Sequence, residues 1–151
     1  MSVNGDEINS ETKDYELFDH TADMGVRAKG DDIPTVFKNT TLGMYEIIFL
    51  NGIPKVASKG EYKIKLNCSD LEQLLVDWLD ELLFIYSTEK IVFSGFEINV
   101  DSENFSLDAK ITGERVADSE LLATREIKAV TYHMLEIKKN EQWNTQVIFD
   151  I

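Results

Sequence analysis

With 151 residues, 43% of them hydrophobic, the chain suits one domain and has enough apolar side chains for its own core. Its 28 acidic against 15 basic residues give a net charge of −13, which argues against a strong direct grip on nucleic-acid phosphates and favours a basic partner or a cation. A lone cysteine, Cys68, rules out an internal disulfide, and no apolar run approaches the ~18 residues of a membrane span.

Met1 to Lys13 is polar, acidic and aperiodic, unlike a signal peptide. It reads as a disordered tail, residues 1–13, ahead of a single domain at 14–151, with a cytoplasmic location expected. Tyr15 to Phe18 reads as a short strand, and DHTAD (Asp19–Asp23) as a connection. Met24, Val26 and Ala28 then alternate with Gly25, Arg27 and Lys29, a half-buried strand ending at Gly30. Asp31 or Asp32 caps a helix with Pro34 in its first turn and an inner stripe of Ile33, Val36, Phe37, Thr40, Met44, Ile47 and Ile48. Tyr62, Ile64, Leu66 and Cys68 alternate as a strand, with Cys68 inward as a buried structural thiol.

Ser69 to Thr88 is the strongest helix in the sequence. Ser69 and Glu72 fit a capping box, and Leu71, Leu74, Leu75, Trp78, Leu82 and Ile85 recur at helical spacing. A helix this apolar belongs inside a domain. Phe96 to Val100 and Phe105 to Ile111 alternate around an Asp101–Asn104 turn and form a hairpin. Val116 to Thr124 is a polar loop with room for one helical turn. Ile127 to Ile137 reads as one long strand and Glu141 to Ile151 as the last. These elements predict an α+β, two-layer sandwich. Its sheet is mostly antiparallel, with about six to seven strands and two helices packed on one face.

No glycine-rich phosphate loop, zinc-spaced Cys/His cluster or G-x-S-x-G occurs. DHTAD gathers Asp19, His20 and Asp23. Their plainer reading is turn chemistry; the sharper is a metal site, since aspartate oxygens suit hard cations. The last residues bring the Asp150 carboxylate beside the carboxylate of Ile151, and two such acids repel unless a cation or a proton intervenes. His133 shares the parity of Ile127, Ala129, Thr131 and Leu135 and reads as a buried histidine. Lys128 reads as a solvated lysine. Asp77, Asp80 and Glu81 share one helix face, with Glu81 able to lean toward a site at the sheet's end.

Four stretches together resemble one family. YELFDHTADMGVRAKG (Tyr15–Gly30) resembles the opening signature of the archeases, and DLEQLLVDWLDELLF (Asp70–Phe84) their central helix. EIKAVTYHMLEI (Glu126–Ile137) resembles their penultimate strand, and VIFDI (Val147–Ile151) their C-terminus. Phe18 and Met24 stand where members often carry other apolar residues. The resemblance implies a non-catalytic accessory protein of an RtcB-type tRNA-splicing RNA ligase. Such a protein speeds guanylylation of the ligase, supports repeated turnover and broadens the nucleotides accepted, and it associates with tRNA only indirectly. It also implies a divalent metal, calcium with magnesium or manganese as alternatives, held by Asp23, Asp150 and Ile151. Asp19, His20, Glu81, Lys128 and His133 are then candidates for supporting that site or touching the partner. The competing readings are an independent metal-dependent hydrolase, for which the sequence offers no base beyond His20 or His133, and a general protein chaperone.

Overall fold

The computed structural model describes residues 13–20 and 23–151, with His20 described by its backbone alone. The tail expected at 1–13 therefore lies outside the described residues apart from Lys13, whose ammonium pairs with Glu46 Oε1 at 2.9 Å. In chain order the elements are β1 (Tyr15–His20), β2 (Asp23–Gly30), α1 (Ile33–Ile48), β3 (Gly60–Asn67), α2 (Leu71–Glu89), β4 (Ile91–Asp101) and β5 (Ser106–Arg115). A 3-10 turn (Asp118–Leu122), β6 (Ala129–Val130), β7 (Glu136–Lys139) and β8 (Trp143–Asp150) complete the chain.

Helices α1 and α2 each start on an aspartate. Asp32 Oδ1 accepts from the Thr35 amide at 2.8 Å and Asp70 Oδ1 from the Gln73 amide at 2.7 Å. For α2 this moves the expected cap by one residue. The box is Asp70 with Gln73, whose Oε1 accepts from the Ser69 amide at 3.0 Å, instead of Ser69 with Glu72. A charged oxygen makes the stronger bond to an amide than a hydroxyl does, so Asp70 wins the capping position.

Among the described residues every strand pair is antiparallel and there are two helices, so the α+β class holds. The strands divide between two sheets where one was expected. The five-stranded sheet runs β1-β2-β8-β6 with β7 also on β8, and the three-stranded sheet runs β3-β5-β4. Helix α1 ties them together. Its Thr40 hydroxyl lies 2.8 Å from that of Thr145 on β8, and its Thr41 hydroxyl accepts from the Trp78 indole N–H on α2 at 2.9 Å. Its Tyr45 hydroxyl accepts from the Phe93 amide on β4 at 3.2 Å. All three groups are buried and satisfied, so they cost little and fix the helix against three elements. The close approach of α1 to β2 depends on Gly43, where a Cβ would press into Val26.

The long strand expected at Ile127–Ile137 is interrupted. β6 and β7 pair with the same edge of β8, but residues 131–135 stand opposite only residues 147 and 148. Five residues facing two must leave the ladder, and they project as a loop. His133 is consequently exposed, contrary to the buried histidine expected from parity. No helix among the described residues is long and apolar enough to cross a membrane.

Candidate metal centre

DHTAD proves to be mostly strand. Asp19 and His20 end β1 and Asp23 begins β2, leaving Thr21 and Ala22, outside the described residues, between them. β2 then pairs along its whole length with β8, and the first rung of that ladder is Asp23 opposite Asp150. Residues directly opposite each other in an antiparallel pair share a face, with Cβ atoms roughly 4.5–5.5 Å apart. The sequence therefore brings together two carboxylates 127 positions distant, both half-buried. Ile151 follows Asp150 directly and packs against the core, half-buried. The end of β8 is anchored on its other edge as well, where the Lys128 amide donates to the Asp150 carbonyl at 2.7 Å and Ala129 pairs with Asp150.

The remaining predicted residues divide by face and element. Asp19 pairs with Met24, so the pleat turns it to the face opposite Asp23 and Asp150. His20 pairs with Asp23 through its backbone; its side chain lies outside the described residues. Lys128 adjoins Asp150 through its amide and exposes its side chain, as expected of a solvated lysine. Among the described residues no three His, Cys, Asp or Glu side chains gather as a metal-holding set, so Glu81, half-buried on α2, does not complete a trio with Asp23 and Asp150. The pair itself fits a hard cation. Its donors are carboxylate oxygens, and like charges facing across a strand pair are unfavourable until a cation is shared between them.

Cys68 is half-buried, not fully buried as expected, and its Sγ donates to Asp77 Oδ2 at 3.2 Å. Burial, then the Asp77 carboxylate, pushes the thiol up to about 11, so it is protonated near neutral pH and is no nucleophile.

Beside the acid pair, the same sheet face carries a network that spacing did not reveal. The Arg27 guanidinium lies 4.0 Å from the Phe18 ring centroid, its Nε donates to Gln146 Oε1 at 2.9 Å, and its Nη1 approaches Glu16 Oε1 at 3.3 Å. Phe18 covers Gly25, where any Cβ would overlap the ring, and Gly25 is the partner of Ile148. Ile148 is fully buried although it lies on the face away from the main core. Nothing in the local pattern of Arg27 or Gln146 marks them, because their meeting depends on the β2–β8 register.

Comparisons with known proteins identify the family of the chain. The model of the Archease protein family matches residues 15–151. Protein archease of Methanosarcina barkeri is 40% identical over 95% of this chain and 100% of its own length. That of Pyrococcus abyssi is 33% identical over 92% and 99%. The solution structure of protein 1598 of Methanobacterium thermoautotrophicum superposes with a TM-score of 0.76 at 37% identity, covering 93% of this chain and all of that one. The chain belongs to the archease family. Membership agrees with the accessory role in RNA processing that the sequence resemblance implies, and with a protein that assists catalysis by another.

Proposed function

We propose that this protein activates an RtcB-type tRNA-splicing ligase, promoting its guanylylation and repeated turnover and broadening its nucleotide use, through a divalent cation at the Asp23–Asp150 end of the five-stranded sheet. The observation that carries the reading is the register, with Asp23 opposite Asp150 and Ile151 next along the chain. Asp23, Asp150 and the Ile151 carboxylate hold the ion, with calcium preferred and magnesium or manganese accepted. When bound, the ion offsets the carboxylates and offers positive charge to phosphate oxygens. The rigid ladder fixes the two aspartates at one separation, so cation affinity requires little ordering. The acidic surface as a whole suits a docking site that is basic because it handles nucleotide phosphates.

Two measurements test this. Calcium titration of the protein alone should show one site that Asp23→Ala or Asp150→Ala weakens. Ligase guanylylation and turnover should rise with the wild-type protein and not with either variant, nor with a form carrying extra residues after Ile151. Stimulation by Asp23→Ala equal to wild type would overturn the proposed metal role.

A further inference from the structure

Large apolar side chains stand exposed on two adjoining elements. Phe84 on α2 is 62% exposed, and Tyr132 and Met134 in the 131–135 loop are 58% and 48% exposed. Phe84 follows Asp80 by four residues and Asp77 by seven, so the three share one helix face. Tyr132 adjoins that face. Its hydroxyl is held up by partial burial and then by the carboxylates of Asp77, Asp80 and Asp70. Burial and the nearby Asp77 likewise raise the Asp80 carboxyl. Among the described residues no Lys or Arg pairs with Asp70, Asp77 or Asp80.

The loop is built rather than loose. Met134 sits at φ 54°, in a left-handed region that long side chains rarely adopt. Its carbonyl accepts from Gln146 Nε2 at 2.9 Å, and Gln146 is itself held by Arg27. At the loop's start the Thr131 hydroxyl donates to the Ile148 carbonyl at 2.8 Å and accepts from the His133 amide at 3.3 Å. Strain maintained by a part-buried hydrogen-bond network restrains the loop that carries Tyr132, which lowers the ordering cost of an interface.

We infer that the outward face of α2 with Tyr132 is the surface on which the ligase docks, receiving a ligase segment that offers Lys or Arg beside an apolar pocket. This rests on the accessory reading above and names the contact it needs. Charge complementarity selects the occupant. RNA is an anion, and a second copy of this chain would bring the same acids. The first twelve residues carry Asp6, Glu7 and Glu11 and no Lys or Arg, so they do not complement the face either. The surface continues through the loop to β6, which is bonded to Asp150, so one docked partner would span both regions.

The test measures binding of the full-length chain to the ligase directly. Phe84→Ala with Tyr132→Ala should weaken the Kd by about tenfold or more and leave calcium binding at Asp23 and Asp150 unchanged. Asp77→Asn with Asp80→Asn should slow association and flatten its salt dependence. Circular dichroism checks that the variants keep the fold, including Asp77→Asn, whose side chain is half-buried beside Cys68. Wild-type Kd and stimulation in both double variants would overturn the inference, as would variants whose sole defect is loss of a homodimer. If the wild-type protein itself fails to bind the ligase, the accessory reading falls instead.

Discussion

At one end of the β2–β8 ladder Asp23 faces Asp150; four rungs along, Arg27 faces Gln146; at the far end Lys29, Asn144 and Lys138 share a row across three strands. The backbone geometry is the same throughout, and the chemistry is not. In the middle each polar group has a partner: Glu16 and Gln146 hold Arg27, and Gln146 holds the Met134 carbonyl. At the far end a polar cleft is lined by Arg27, Lys29, Asn144 and Lys138, with Lys138 3.6 Å from Glu136. The first rung sets the Asp23 carboxylate opposite that of Asp150, a like-charge pairing that the ladder by itself does not favour. The middle rungs serve stability, and under the function proposed above the acidic end serves cation binding.

Breaking that end should have the largest effect. Asp150→Ala is expected to reduce cation affinity by about tenfold or more and to abolish ligase stimulation. It should change the unfolding free energy by less than about 1 kcal/mol, measured by urea titration without added cation. The middle should behave in the reverse sense. Arg27→Ala leaves Gln146 Oε1 without its donor and strips Phe18 of its cover, a loss of about 1–2 kcal/mol, with cation affinity retained. A calcium titration beside the urea curve separates the two. At the far end both lysines are solvent-facing, so Lys138→Ala should move stability by no more than about 0.5 kcal/mol and leave stimulation intact. A Lys138→Ala variant as inactive as Asp150→Ala would erase the contrast between the ends.

The parts legible in the sequence were those set by local periodicity. Leu74, Trp78, Leu82 and Ile85 define α2, and Tyr62, Ile64 and Leu66 define β3, because a period of 3.6 or 2 is written in consecutive residues. The α2 cap slipped by one because Ser69-x-x-Glu72 and Asp70-x-x-Gln73 are overlapping boxes, and the choice between them is a competition between acceptors. The break between Val130 and Glu136 left no trace. No Gly or Pro marks it, and the alternation of Thr131, His133 and Leu135 imitates a strand. What ends the strand is a hydroxyl bonding to a carbonyl on another strand, a tertiary event. The acid pair was reachable only through family resemblance, since no local rule relates Asp23 to Asp150. Arg27, Gln146 and Tyr132 were missed for the same reason.

The three hydroxyls of α1 that reach β8, α2 and β4 bear on how the molecule comes apart. A helix bonded into both sheets cannot be released from one without exposing polar groups buried against the other. Amide protons at the centres of β8 and β5 should accordingly exchange with a shared opening energy, and the two sheets should melt as a single cooperative unit.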